Sequence, residues 1–469
     1  MTVADIWSIM PLVMLAGGSL LLLVFGAVAP GRYCTWAAVV VTIGSALWTI
    51  QDPQATLAPT LGVACTPFTR FFTFLFAVSA AVTLLLSIES NERRAIRGEE
   101  YPATILFATF GMSVVVSSVN LLTLFLGLEA LTFAFYILVA MDLNRAGSAE
   151  AGLKYLLLGA VAAAFIAFGI ALIYAASGTL AITPALQGVL REGGGNPVAL
   201  AGWGLLLSGL AFKVSLVPAH LWTPDVYQGG PTPVIAFLST GSKVAAFAAL
   251  FLLLPMPGGV GILRTPLWLM AFLSMLVGNL AALRQENIKR MLAYSSIAQM
   301  GYVTLAFLTG SAPGHMAAVF YLVAYSAMNL AAFGAIASLA PAEGLETIDD
   351  YRGIGYDRPF QAGVLALAMF ALAGIPPTAG FTGKFMIFAA AVRGGELPLA
   401  IAGILTAAVS IYFYLRVVVS LYLRPAVAPV TADRATFAEG LALAAVGLAI
   451  LILGIFPSPL LDMIYKVLG

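Results

Sequence analysis

Charge is what this sequence has least of. Asp, Glu, Lys and Arg make up only 9% of its 469 residues, against about a quarter in an ordinary soluble domain, which excludes a soluble globular protein. The 22 basic and 21 acidic residues nearly cancel, leaving no basic surplus for nucleic acid and no acidic tail for a cationic partner. Cysteine is scarce: Cys34 and Cys65 are too few for a disulfide framework and lack the CxxC spacing or nearby histidine of a metal or iron–sulfur site. Both read as small apolar residues. Two histidines, His220 and His315, make the paired ligation of a membrane haem an unsuitable reading. No GxxxxGK[ST] phosphate loop and no dinucleotide fingerprint occurs, and GFTGK has the wrong spacing. The expectation is a chain without cofactor or metal of its own, carrying charge under a drive from outside it.

What is abundant is apolar sequence. Hydrophobic residues are 61% of the total, the mean hydropathy is +1.01, and uncharged runs of about 20 residues, each able to cross a bilayer as a helix, recur from end to end. Asp5 is the single charge in the first thirty residues, so no basic signal-peptide region precedes the first run, which is expected to stay as a membrane helix. Breaks at polar or Pro/Gly clusters give about fourteen spans, at roughly 6–28, 34–50, 68–88, 101–118, 121–141, 151–176, 198–217, 232–254, 265–283, 288–308, 315–340, 360–392, 398–422 and 438–461. The runs are too long and too little alternating for a β-barrel; the fold class is an all-α polytopic membrane protein. Odd-numbered connections hold Arg32, Arg93, Arg94, Arg97, Arg145, Arg284, Lys289, Arg290, Arg352, Arg358, Arg424 and Arg434, whereas the even-numbered ones and the C-terminus hold Arg70, Arg191, Arg264, Arg393 and Lys466. By the positive-inside rule both termini are expected on the non-cytoplasmic side.

Two spans are interrupted. After the seventh apolar run comes VPAHLWTPDVYQGGPTP, with Pro218, Pro224, Pro231 and Pro233, and inside the twelfth comes AGIPPTAGFTGK, with Pro376 and Pro377. Proline removes a helix hydrogen bond and glycine relaxes the backbone, so both are read as broken helices whose freed groups line protein or a wet cavity. The breaks lie five spans apart, and five is odd, so two five-helix units containing them have opposite orientation, the pattern of an inverted repeat. The proposed division is an N-terminal three-helix addition (1–100), a first half (101–254, helices 4–8), an inverted second half (255–425, helices 9–13) and a last helix (426–469).

The six lysines divide sharply. Lys289 and Lys466 fall in connections, but Lys154, Lys213, Lys243 and Lys384 fall inside apolar spans, while Arg416 alone of the arginines lies well within one, near its end, where it can snorkel. Arginine effectively never releases its proton and a desolvated lysine readily does, so the partition suits proton exchange. Each intramembrane charge costs about 2.5–3.5 kcal/mol even on the lenient insertion scale, and such charges need partners. Glu129, in LLTLFLGLEALTFAFYILVAM, is the acidic residue deep in a span, and Lys213 is its first-choice partner; moving the carboxylate changes the lysine's hold on its proton. Glu150 and Lys154, four residues apart, form an alternative pair along one helix face. His220, after Pro218, is either a structural group or a relay between Lys213 and Lys243; His315 reads as an edge residue, and Asp225 as fixing the broken segment. Tyr321, Tyr325 and Asn329 share one face, and Tyr294, Ser295, Ser296, Gln299 and Tyr302 lie in the tenth span. They suit a water file or helix-to-helix hydrogen bonding equally well.

The strings LTLFLGLEALTFAFYILVA, AFKVSLVPAHLWTPDVYQGGPTPVIAFLSTGSKVAAF, ENIKRMLAYSSIAQMGY and LAGIPPTAGFTGKF resemble the proton-translocating, antiporter-like subunits of respiratory complex I, strongly over roughly residues 100 to 425. WTPDVYQGGPTP and YRGIGYDRPF favour one branch of that family over its L- and M-type sisters. The resemblance implies two inverted five-helix units with broken helices 7 and 12. It also implies that Glu129 and Lys213 are an interacting pair, Lys243 a central lysine and Lys384 the terminal one, with Lys154 and His220 as supporting residues. No counterpart of Glu129 occurs in span 10, so the repeat is chemically asymmetric.

The function this implies is that of a proton-translocating membrane-arm subunit of an NADH:quinone oxidoreductase. NADH, FMN, iron–sulfur clusters and quinone belong to its other subunits, and M- and K-type membrane-arm subunits are its neighbours. Redox energy released elsewhere would alter the Glu129–Lys213 interaction, shift protons through Lys243 and eject them from Lys384. Two rivals share the sequence features: an Mrp-type cation/proton antiporter subunit not driven by redox, and a structural scaffold of the arm.

Overall fold

The computed structural model describes residues 3–27, 29, 31–51, 56–58, 62–96, 98–185, 196–254, 261–340, 345–426 and 436–468. Arg97, Arg191 and Arg434 lie outside them. The chain is a helical bundle: α1 (Met10–Gly26), α2 (Gly31–Ile50), α3 (Pro67–Arg93), α4 (Glu100–Ser117), α5 (Leu121–Val139), α6 (Ala146–Ser177), α7 (Pro197–Val214), α8 (Trp222–Gly229), α9 (Thr232–Leu253), α10 (Arg264–Leu283), α11 (Ile288–Leu308), α12 (Ala312–Leu339), α13 (Pro359–Ala373), α14 (Ala379–Arg393), α15 (Leu397–Leu423), α16 (Phe437–Ile455) and α17 (Ser458–Leu468). Among the described residues, 12 helices are long and apolar enough to cross a membrane; adding the shorter α1 and the pair α13–α14 gives the fourteen crossings expected. A hairpin of two short antiparallel strands, Thr56–Ala58 and Val63–Cys65, joins α2 to α3.

Helix starts follow the local chemistry. Asn120, Asn196 and Asn287 accept backbone N–H groups at the first turns of α5, α7 and α11, and Thr66 and Ser311 do the same for α3 and α12, satisfying donors that hydrocarbon cannot. The two breaks occur where expected. α7 stops at Ser215, which adopts φ +67°, before Pro218; α13 stops at Gly374, with φ +84°, before Pro376 and Pro377. α8 and α14 resume each crossing. In α9 a π turn, Leu238–Ser242, immediately precedes Lys243, and such turns re-aim the side chains that follow them.

Burial sets the layers. The most apolar stretch of α9 is entirely buried, and those of α11 and α12 nearly so, whereas in α6 only 33% is. α9, α11 and α12 are therefore the axis, and α1, α2, α6, α10, α15 and α16 present apolar faces outward. Ion pairs and bridges identify two ends. Arg94–Asp142 (2.9 Å), Arg145–Glu346 (2.9 Å) and Arg424–Asp349 (2.6 Å) cross-link odd-numbered connections at one, arginine-rich end. At the opposite end Asn120 bridges Ala181, and Arg264 pairs with Glu396.

Three expectations need correction. The last span ends at Ile455 and not near 461, because Pro457 cannot continue the helix; α17 then runs to Leu468 with Lys466 on it and Ile464 buried. Lys289 is not a connection residue: it is the second residue of α11, 7% exposed. Arg416 does not snorkel outward but donates to the carbonyls of Leu283 and Gln285 at the end of α10.

Candidate functional site

Lys213 lies in the last turn of α7, just before the break, and faces the middle of α5. Its ammonium is 3.0 Å from Glu129 Oε1 and donates to Thr132 Oγ1 at 2.6 Å. The lysine side chain is 4% exposed and that of Glu129 27%, so the pair is shielded on the lysine side. Thr132 follows Glu129 by three residues and shares its helix face.

Lys243, fully buried on α9, has no carboxylate within ion-pair distance among the described residues. Its Nζ is 3.4 Å from the carbonyl of Val214, the last residue of α7, and 5.8 Å from the centre of the Tyr227 ring. Lys384 on α14 is equally deep. It donates to the carbonyls of Leu372 (2.7 Å) and Ala373 (3.4 Å), which end α13, and lies 5.4 Å from the centre of the Tyr302 ring.

Hydroxyls and an amide fill the space between these two lysines. Tyr227 OH is 3.4 Å from Ser296 Oγ, which is 2.6 Å from Tyr325 OH. One turn along α12, Tyr321 OH donates to Gln299 Oε1 at 2.5 Å; Gln299 Nε2 donates to Tyr414 OH at 3.0 Å and to the Leu372 carbonyl at 3.3 Å. Ser295 Oγ lies 2.5 Å from Tyr414 OH. The carbonyl of Leu372 is thus shared by Gln299 and Lys384, while the Tyr227–Ser296–Tyr325 group, beside Lys243, forms a second cluster on the same helices α11 and α12.

Other sequence candidates stand apart. Lys154 is not deep: its side chain is 44% exposed, with Nζ 2.8 Å from Glu150 and 2.9 Å from Asp225. Asp225 also accepts from Arg290 at 2.6 Å, so it ties α8 to both α6 and α11. His220 is half-buried in the first break; its Nδ1 is enclosed without a partner, and it hydrogen-bonds neither Lys213 nor Lys243 among the described contacts. His315 is an interior residue rather than an edge one, stacked on Phe307 at 5.2 Å and edge-on to Phe251 at 5.1 Å. Tyr302 accepts from Asn279 at 2.9 Å, whereas Asn329 turns back to its own helix at Tyr325 O, and Tyr294 is only half-buried. Cys34 and Cys65 are buried free thiols.

Sequence reasoning missed four groups. Thr132 was detectable from its spacing to Glu129. Tyr414 was not, because a tyrosine in an apolar run is ordinary membrane-helix composition, and Tyr227, in the WTPDVYQGG break, carries no spacing signal toward Ser296. Glu439, fully buried at the start of α16, closes a capping box with Thr436, and Thr-x-x-Glu before an apolar run was its signal.

A family described as "NADH:quinone oxidoreductase/Mrp antiporter, TM" matches residues 118–410. The chain belongs to this family. The matched range runs from just before α5 into α15 and contains Glu129, Lys213, Lys243, Lys384 and most of the file between them. Within the NADH:quinone oxidoreductase/Mrp antiporter family, a protein of Geotalea uraniireducens named NADH-quinone oxidoreductase subunit N is 67% identical over 100% of both chains. A chain of respiratory complex I from Thermus thermophilus with bound aureothin shares 35% identity and a TM-score of 0.83, over 96% of this chain and 98% of that one. A chain of the Mrp complex from a Dietzia species has a TM-score of 0.85 at 19% identity, over 100% and 97% of the two chains; the likeness there is one of fold.

Proposed function

We infer that the chain is the N-type, proton-translocating subunit in the membrane arm of a bacterial NADH:quinone oxidoreductase. The observation that supports this reading is the series of buried groups formed by the Glu129–Lys213 pair, Lys243 beside Tyr227, the Tyr227–Ser296–Tyr325 and Tyr321–Gln299–Tyr414 clusters, and Lys384 at the Leu372 carbonyl. Such a row moves protons and not electrons, so NADH, FMN, iron–sulfur clusters and quinone are assigned to partner subunits, with M- and K-type subunits flanking this one in the inner membrane. The arginine-rich end is taken as cytoplasmic, which puts both termini on the other side. Helices 4–8 (101–254) and 9–13 (255–425) form the two inverted halves, each with one broken helix.

Protonation states alternate along the row. When Glu129 is close, Lys213 keeps its proton; when the carboxylate withdraws, the buried ammonium loses its counter-ion and passes the proton on. Lys243 and then Lys384 receive it, and Lys384 releases it toward the end where α14 finishes. An Mrp-type antiporter would share the fold, but the 67% identity to an NADH-quinone oxidoreductase subunit against 19% to the Mrp chain favours the redox-driven assembly. The test is the proton-to-electron ratio of purified, reconstituted complex carrying Lys243→Ala. A lowered ratio at matched assembly supports pumping through this chain; an unchanged ratio makes it a scaffold.

A further inference from the structure

Lys289 is a fourth buried lysine, beside Lys213, Lys243 and Lys384, and the row above does not use it. It begins α11 at the arginine-rich end and is 7% exposed, and among the described residues its hydrogen-bond acceptor is the carbonyl of Gly230 at 3.0 Å. Four charged groups act on it electrostatically: Arg94 from the end of α3, Asp142 and Arg145 from the α5–α6 connection, and Glu346 from the segment before α13. The two carboxylates are already taken, Asp142 by Arg94 and Glu346 by Arg145. On its own helix the adjacent Arg290 reaches Asp225 at 2.6 Å and Gln228 at 3.1 Å on α8. The neighbours divide the work by chemistry. Arg290, which cannot lose its proton, clamps α8 through a carboxylate, while Lys289 faces a neutral carbonyl and, among the described residues, pairs with no carboxylate.

Its place in the row is fixed by helical spacing. Ser296 is seven residues further along α11, two turns, and so lies on the same face; the groups opposite are the carbonyl of Gly230, just past α8, for Lys289 and Tyr227 OH of α8 for Ser296. The separation along the helix is about 10 Å, a distance that water spans. We propose that Lys289 is the loading group of this path, taking a proton from cytoplasmic water and passing it, through water along the α8–α11 seam, toward Tyr227, Ser296 and Lys243. The ammonium gives one proton inward and the amine regains one from the cytoplasm, so nothing else is consumed. The proposal rests on the reading of the lysine row as a proton path and of the arginine-rich end as cytoplasmic.

The test uses the whole complex reconstituted in vesicles, with protons translocated per NADH oxidised as the readout. Lys289→Arg keeps the charge and a donor for Gly230 O but cannot cycle. The expected result, at matched assembly, is a proton ratio as low as that of Lys243→Ala prepared beside it, or loss of coupled NADH oxidation that an uncoupler does not restore. A full ratio in Lys289→Arg, with Lys243→Ala lowered, overturns the loading role and leaves Lys289 as a structural clamp. Should the arginine not assemble, Lys289→His decides: its proton affinity is lower, so the pH optimum of translocation moves about one unit or more to the acid side, and an unmoved optimum overturns the proposal. A full ratio in Lys243→Ala refutes the underlying path and this proposal with it.

Discussion

Replacing Glu129 grades the coupling of the row. At 3.0 Å between Lys213 Nζ and Glu129 Oε1, an effective dielectric near 20 gives an attraction of about 5 kcal/mol. Glu129→Asp withdraws the carboxylate by one methylene, roughly 1.5 Å, and leaves between 3 and 4 kcal/mol, a loss of about 2 kcal/mol or about 20-fold in the proton equilibrium of the pair. Glu129→Gln removes the charge and leaves Lys213 only Thr132 Oγ1 at 2.6 Å; breaking a buried pair in this way costs about 3–5 kcal/mol. Moving one proton against 100 mV takes about 2.3 kcal/mol, so the aspartate sits near the electrical work and the glutamine well beyond it. The assay is NADH-driven acidification of vesicles holding purified complex, with NADH oxidation measured on the same sample. Wild type should exceed Asp, and Asp should exceed Gln, in protons per electron at equal assembly. A Glu129→Gln complex that pumps with the full ratio refutes the switch.

Gln299→Leu removes the group that joins Tyr321 and Tyr414 to the Leu372 carbonyl; it should lower the proton ratio and, by orphaning the buried Tyr321 hydroxyl at about 1–3 kcal/mol, lower the melting temperature of the complex. Retention of both values shows that the file is not continuous through this side chain. Gly380→Ala places a methyl against the Ala371 carbonyl across the second break, and overpacking of about 1–3 kcal/mol should reduce thermal stability of the assembled complex. Gly440→Ala on α16, with open space at its Cβ, is the matched control and should be neutral or slightly stabilising.

The crossings were legible because a bilayer allows few solutions: an apolar run of about 20 residues must be a helix, and proline clusters must break it. The starts of α5 and α11 fall where their runs were read to begin, at 121 and 288, whereas α12 begins at Ala312, ahead of the 315 expected. Depth was less legible than position. Lys289 sits in ENIKRM, which reads as a polar connection; in the fold its ammonium meets the Gly230 carbonyl and the neighbouring Asn287 bridges Thr347, contacts that no local window contains. Lys154 failed in the opposite sense, because hydropathy averages around a helix and cannot say that this face of α6 looks outward toward Asp225. The tyrosines of the file were hidden by their own chemistry, since Tyr414 looks like lipid-facing packing until Ser295 and Gln299 of α11 are seen against its hydroxyl.

The breaks and the lysines are one device rather than two. Ending α7 at Val214 leaves a carbonyl that meets Lys243, and ending α13 at Ala373 leaves the carbonyls that hold Lys384. An open helix C-terminus carries roughly half a negative charge, so each break supplies a partial counter-charge at mid-depth without a second carboxylate. That charge belongs to the backbone and cannot be withdrawn. Glu129 is different: it is a full charge on a flexible side chain, 27% exposed, against a lysine that is otherwise held only by a threonine hydroxyl. If three lysines are held by fixed dipoles or by one movable carboxylate, work done by partner subunits has one efficient place to act. The missing acidic residue in span 10 is then no defect of the second half, because Lys384 already has its partner in the end of α13.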